Sequence, residues 1–457
     1  MHRKSTLPLR GLAALMFMTA VVPTTRAVSA AGRPSEAAVP VRGPIHEAFA
    51  QPLSGAETPG TVFDGRPPPP LAHTPPATKP GIAAAAWIPG YWGWEPAMGD
   101  LVWVPGVWRV PPPGMRWVPG YWSVADQGWR WVRGFWFPRN QPRLQYLPPP
   151  PPPANEPPAP TPPGDRFAVP GYWSYEGEKY VWRRGFQAPF KAGWVWMPSH
   201  SVWTPRGSVF VPGYWDFAIE RRGLALLPMA AGTQSNVSPK PALAINLADL
   251  SEALFVGAVY GHFYFGDYFD VLPGAADIKP WYEPDATGRP EPDFAYERWR
   301  HQPKNAHWAA RLAERYQARR EHAERRPTLA RPNEAVPSAA RLRPEILRQA
   351  AQAANGLRQL AVMREKFEST VDAAPAGGVA TLYLPAAADS ETQVRATEQP
   401  RASVTEESLP GISGRRVPGV GQRTLPGVSG RAVPGVEADL PDVAAPGVDR
   451  RQISPKR

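Results

Sequence analysis

No cysteine occurs in the 457 residues, which excludes a disulfide framework, a thiolate nucleophile and bacterial lipid attachment through an N-terminal Cys. Histidine is scarce and scattered, eight in all, with no His-Glu-x-x-His or other ligand spacing. His46-Glu47 is merely an adjacent pair in a proline-rich stretch, and His262, His301 and His307 read as surface or packing residues. No G-x-S-x-G, phosphate loop or dinucleotide fingerprint occurs in its required strand–helix context. The turn carboxylates Asp100, Asp126, Glu176 and Glu178 are accounted for by solubility. The sequence therefore presents no catalytic residue, no cofactor site and no metal site. Beyond the first thirty residues no apolar run approaches the ~20 residues that a membrane-spanning helix needs.

The first thirty residues read as a secretory signal peptide. Arg3, Lys4 and Arg10 precede the apolar run Gly11 to Val22, and Val28-Ser29-Ala30 has the small residues of a cleavage site. Cleavage removes Arg3, Lys4, Arg10 and Arg26 and takes the formal charge from +11 to +7. An exported chain of that balance is expected in the periplasm, cell envelope or extracellular space. Acidic polymers or anionic surfaces are its expected neighbours and nucleic acid is not.

What the chain has in abundance is proline (62), glycine (40) and tryptophan (19), and sixteen of the tryptophans lie between 87 and 215. Trp87-Ile88-Pro89-Gly90-Tyr91-Trp92 recurs at Trp103 to Trp108, Trp117 to Trp122 and Trp131 to Trp136. The motif returns at Ala168 to Trp173, Trp182 to Gln187, as the worn copy Trp196-Met197-Pro198-Ser199, and at Phe210 to Trp215. The regular period predicts one supersecondary unit per copy. Segments such as Gly120 to Val124 and Trp129 to Val132 alternate like strands around the polar turn Ala125 to Gly128. Tyr175 to Glu178 reads as the matching turn in the second set. Proline lacks the N–H a ladder needs, so each Pro-Gly pair is expected to turn the chain or to kink it.

These repeats resemble those of the bacterial WXXGXW (YXWGXW) proteins, exported and uncharacterised. The segments Val41 to Ala50 and Gly261 to Phe269 also look like parts of longer members. The resemblance implies an envelope protein and carries over no catalytic residue.

The expected fold is mainly β: short antiparallel meanders rich in Trp and Tyr, in two small modules, with C-terminal helices and long disordered Pro/Gly-rich segments. The expected organisation is a signal peptide (1–30), a Pro/Ala-rich linker (31–86), a first repeat module (87–137), a polyproline linker (138–165) and a second module (166–217). A small aromatic-rich extension (218–280) follows, with Leu224 to Met229 as a strand, Ala248 to Phe255 as a short helix and Tyr260 to Phe269 as a strand. Next come a basic amphipathic helix (294–326) and a second helix (344–371). The first is expected to carry a Trp308-Leu312-Tyr316 stripe, packed on Tyr260 to Phe269 or flanked by arginines that dock on an anionic surface. The second is expected to use Ile346, Ala350, Ala353, Leu357, Leu360 and Phe367 as its apolar side. The tail (372–457) carries LPG and VPG repeats and is expected to be disordered.

Small modules of this kind use most tryptophans for packing, yet sixteen exceed that need, so some are expected at the surface. The candidate binding platform is Trp92, Trp108, Tyr121, Trp122, Trp136, Tyr172, Trp173, Tyr214 and Trp215. The expected function is a non-catalytic structural or binding scaffold whose partner is an envelope polysaccharide or another envelope protein. The competing reading is an enzyme of unrecognised type, for example a hydrolase acting on envelope polysaccharide.

Overall fold

The computed structural model describes residues 42–71, 74–79, 81, 84–154, 164–230, 244–271, 277–326, 340–370 and 379–386. The signal peptide and the LPG/VPG repeats lie outside them.

The eight copies fold in pairs, as four two-stranded ribbons. In the first, Ala86–Ile88 pairs with Val107–Arg109 and Tyr91–Glu95 pairs with Asp100–Val104. The second pairs Met115–Val118 with Phe135–Pro138 and Tyr121–Ala125 with Gly128–Val132. The third pairs Arg166–Val169 with Phe186–Pro189 and Tyr172–Glu176 with Lys179–Arg183. The fourth pairs Trp194–Met197 with Tyr214–Phe217 and His200–Thr204 with Gly207–Val211. The Pro-Gly pairs are therefore not hairpin turns. They interrupt the ladder midway, and the register on either side is the same: Ile88 faces Val107, Tyr91 faces Val104, and the break sets Pro89 opposite Gly106. The real turns lie at the ribbon tips. In the third ribbon the tip is Gly177-Glu178, both at positive φ (53° and 65°), and Tyr175 belongs to the strand rather than to the turn.

The motif's tryptophans are cross-strand partners. Trp87 faces Trp108 with ring centroids 5.3 Å apart, Trp92 faces Trp103 at 5.4 Å and Trp117 faces Trp136 at 5.3 Å. Trp122 faces Trp131 at 5.6 Å, Trp173 faces Trp182 at 5.0 Å and Trp196 faces Trp215 at 5.2 Å. All six pairs are edge-to-face, a geometry that contributes about 0.5–1.5 kcal/mol beyond area burial. The motif's glycine has a steric cause. A Cβ on Gly106 would stand 2.4 Å from Cζ2 of Trp87, and one on Gly134 would stand 2.4 Å from Cζ2 of Trp117. The distance is 2.5 Å for Gly120 under Trp131, Gly171 under Trp182 and Gly213 under Trp196. In each case the first Trp of one copy lies on the glycine of its partner copy. Gly185, whose partner copy begins with Ala168, meets only backbone atoms.

The ribbons are roofed by segments that the sequence presents as linkers. Ile45, Ala48 and Phe49 are fully buried in the largest apolar cluster, although the 31–86 region reads as an extended linker. This cluster also gathers Met115, Trp117 and Trp136 of the second ribbon, Phe255 and Phe263 to Phe265, and Phe294, Trp308, Leu312 and Tyr316. Its sheet runs Gly43–Pro44, His262–Phe265, Leu254–Gly257, Ile278–Pro280. Phe255 is thus a strand residue, and the helix before it is only Leu247–Leu250. Arg143–Leu147, inside the expected polyproline linker, pairs with Gly207–Val211 and with Ala380–Tyr383 of the expected tail.

The helix Trp308–Glu321 buries Trp308, Leu312 and Tyr316, and Tyr316 stands 5.3 Å from Phe269. The single helix expected over 294–326 is divided, with Pro292–His301 preceding Trp308–Glu321. The helix Pro344–Ser369 buries Ile346, Ala350, Ala354 and Leu360, but also Arg364 and Glu368. Ala353, Leu357 and Phe367 are half-buried. No helix among the described residues is long and apolar enough to cross a membrane.

Two alanine substitutions test the glycine rule in opposite directions. Gly106→Ala should lower stability by about 1–3 kcal/mol through overpacking against Trp87. Gly356→Ala, in a helix with open space around it, should raise stability by about 1 kcal/mol. Urea denaturation of both variants checks the pair, and equal effects would contradict the rule.

Candidate functional site

Breaking a ladder inside the protein strands main-chain polar groups, each costing about 1–3 kcal/mol if left unpaired. Specific side chains meet them. His46 Nε2 lies 3.0 Å from Pro89 O at the first break. At the second, Gly134 N donates to Glu47 Oε1 at 3.1 Å, and Arg364 Nη1 donates to Pro119 O at 2.6 Å and to Arg133 O at 3.4 Å. At the fourth, Gly213 N donates to Ser199 Oγ at 2.8 Å, and His200 Nδ1 lies 2.9 Å from Pro198 O. The serine that replaces the motif's glycine is therefore the cap of its own break.

These caps belong to buried networks. Glu47 also accepts the Trp131 Nε1–H at 3.1 Å, and its main-chain N–H donates to Tyr91 Oη at 2.9 Å. Tyr91 Oη lies 2.8 Å from His262 Nε2, whose Nδ1 faces Tyr260 O at 2.7 Å. Burial raises the Glu47 carboxyl to about 7, against the pull of Trp131, Arg133, Gly134 and Arg364. Burial lowers His262 to about 3, so both ring nitrogens serve as fixed neutral partners. Glu368 accepts from Tyr121 Oη at 2.6 Å and Tyr146 Oη at 2.8 Å while pairing with Arg364 at 2.8 Å. A third network alternates in sign through the interior. Arg109 pairs with Asp216 at 2.6 Å, Asp216 with Arg222 at 3.2 Å, and Arg222 with Asp293 at 2.6 Å. It ties the first ribbon to the fourth and to the helix Pro292–His301. The ion pairs of these networks are all buried, and a shallow cavity lined by Trp131, Arg133, Trp203 and Tyr260 borders the first of them.

The third ribbon is different. Its break leaves Arg184 and Gly185 exposed. Its inner strands set Trp173 against Trp182 at 5.0 Å, and Tyr175 against Tyr180 at 5.0 Å, with ring planes 69° and 70° apart. Strand alternation puts these four rings on one face. All four are half-buried rather than buried. Their polar edges are engaged by the proline run: Trp173 Nε1 donates to Pro152 O at 3.0 Å, and Tyr180 Oη donates to Pro148 O.

This arrangement revises the platform read from the sequence. Trp92, Trp108, Tyr121, Trp136 and Trp215 are buried in the body of the protein and offer no ring face to a ligand. Trp122 is covered by Phe63 at 5.6 Å, and Tyr214 packs against the main cluster. Tyr172 stacks on Phe210 at 5.7 Å. Trp173 alone of the nine lies on the open face, joined by Tyr175, Tyr180 and Trp182, which the sequence reading omitted. Alternation from Trp173 and its cross-strand partner is the signal that finds them. The excess of tryptophan is explained by the roofing segments, which make the ribbons parts of a larger core.

Comparison with family models matches the WXXGXW repeat over residues 86–109, 113–136, 169–185 and 192–215. Each match corresponds to one ribbon, so the ribbons are WXXGXW repeats and together form a repeat-based β scaffold. No curated protein and no solved structure matches the chain.

The Glu47 cap makes a pH prediction. Its carboxyl is raised from 4.5 to about 7 on folding, so the folded state holds the proton more tightly. This group favours folding fully below about pH 4.5, and that contribution is lost as pH rises to 7, by about 3 kcal/mol. Glu47→Gln cannot titrate. The stability of the native chain relative to that variant should therefore fall across this window in urea denaturation, and a constant difference would refute the assignment.

Proposed function

We propose that the chain is a non-catalytic, exported scaffold of the cell envelope that holds a protein partner through its third ribbon. The signal-like N-terminus and the positive charge of the mature chain support export and an envelope setting. The observation that carries the reading is the contrast between ribbons. The inner Trp pairs of the first and second ribbons each include a buried ring, Trp92 and Trp103 in one and Trp131 in the other. In the third ribbon both Trp173 and Trp182 remain partly open. Ring planes near 70° present edges and N–H or O–H donors, whereas stacking of a sugar ring calls for a flat face. That favours a protein partner over a polysaccharide. The ion pairs Arg109–Asp216, Arg222–Asp293 and Arg364–Glu368 are buried and mutually bonded, which supports a scaffold over a hydrolase. The arginine flank expected to dock on an anionic surface is largely consumed: Arg315 and Arg319 pair with Glu252, and Arg326 with Asp267 and Asp270. Of the four arginines around the stripe, Arg311 and Arg320 remain exposed for a peripheral contact with such a surface.

Envelope fractionation of the full chain tests the proposal. Trp173→Ala with Trp182→Ala should move the protein from the envelope fraction to the soluble fraction while leaving its thermal unfolding cooperative. Unchanged retention, or Trp173-dependent retention on purified cell-wall polysaccharide, would contradict it.

A further inference from the structure

The chain contains two runs of four or more prolines, Pro67 to Pro70 and Pro148 to Pro153, and both meet the repeat at one position. Trp92 Nε1 donates to Pro69 O at 3.0 Å, and Trp173 Nε1 donates to Pro152 O at 3.0 Å. Trp92 and Trp173 are the last tryptophans of the first copy in the first and third ribbons. The corresponding Trp122 of the second ribbon donates to the main-chain oxygen of Trp92 at 2.9 Å. In all three ribbons the indole N–H at this position thus donates to a main-chain carbonyl of a neighbouring segment, a proline run in two of them. In the fourth ribbon Ser201 stands there and no indole is available.

The chemistry of the acceptor explains why prolines fill the role. A proline run has no N–H, so its carbonyls have no main-chain partners of their own. It also favours polyproline II, in which residues advance ~3.1 Å and the ordering cost is already small. Aromatic faces carrying N–H and O–H donors are the surface that recognises such segments. In the third ribbon two donors are set for one run: Trp173 for Pro152 and Tyr180 for Pro148, carbonyls ~12 Å apart along a polyproline II strand. The run itself lies open, with Pro148, Pro149, Pro151, Pro152 and Pro153 all exposed.

We propose that the face formed by Trp173, Tyr175, Tyr180 and Trp182 is a recognition site for an extended proline-rich segment of a partner protein, occupied in cis by the chain's own Pro148 to Pro153. This rests on the reading that the third ribbon holds the partner, and names the partner's chemistry. The tethered run competes at an effective concentration of about a millimolar, so it sets a threshold that a partner must exceed.

The test uses the full chain and fluorescein-labelled decaproline, followed by anisotropy. With prolines 148 to 153 replaced by alternating Gly and Ser, the chain should bind decaproline saturably and at least tenfold more tightly than the native chain. Adding Trp173→Phe removes one donor while keeping an aromatic ring, and should weaken binding roughly 3- to 10-fold. A second measurement needs no change to the run. Decaproline at millimolar concentration should shift the native chain's tryptophan emission, and Trp173→Phe with Tyr180→Phe should abolish the shift. No binding by a replaced chain that unfolds like the native one overturns the proposal, as does binding indifferent to Trp173→Phe. Native dimers dissolved by the replacement would overturn it too, by making a second copy the occupant. If envelope retention still depends on Trp173 and Trp182 while decaproline never binds, the ligand class is wrong and the partner-binding reading survives. If decaproline binds and retention does not depend on those residues, the site stands and the envelope reading falls.

Discussion

An indole lying on a glycine of the opposite strand is the contact on which the rest of this structure depends. In every ribbon it joins the two paired copies, the first Trp of one lying on the glycine of the other at least once. It holds the register through a point where proline forbids a hydrogen-bonded ladder. It also explains the spacing of the motif, since the tryptophans become cross-strand partners only if the break is passed without a slip. A one-residue slip would send each ring to the other face of the ribbon. The contact is made twice in the second ribbon and once in each of the others; Gly90, whose partner copy begins with Trp103, and Gly185 meet only backbone atoms.

The break creates a second requirement, which shapes everything around the ribbons. Main-chain groups released from the ladder must be met in the interior, and His46, Glu47, Arg364, Ser199 and His200 meet them. Two of the buried charges, Glu47 and Arg364, serve this need directly. The third ribbon's break lies at the surface, with Arg184 and Gly185 exposed, and its aromatic face carries the proline run.

The repeat, its strands and turns, the mainly β class and the Trp308-Leu312-Tyr316 stripe could all be read from the sequence, because each is encoded by local alternation or helical spacing. The roofing segments could not. Ile45 to Ala50 has too little pattern to announce a core element, since its partners lie far along the chain in ladder breaks that only the fold reveals. Arg364 and Glu368 look like a solvated i,i+4 pair, and nothing local says that Tyr121 and Tyr146 await the carboxylate. Open and buried ribbons carry the same motif, so the candidate platform mixed them. Exposure is a property of what packs above a ribbon, and it is not written in the ribbon.

The indole–glycine contact can be isolated by a double-mutant cycle on the fourth ribbon, where Trp196 supplies the nearest atoms a Cβ on Gly213 would meet, at 2.5 and 3.1 Å. Gly213→Ala and Trp196→Leu would be measured singly and together by urea denaturation. If the indole is what excludes a side chain at the glycine, alanine should cost at least about 1 kcal/mol less beside leucine than beside tryptophan. Additive effects of the two substitutions would contradict the account.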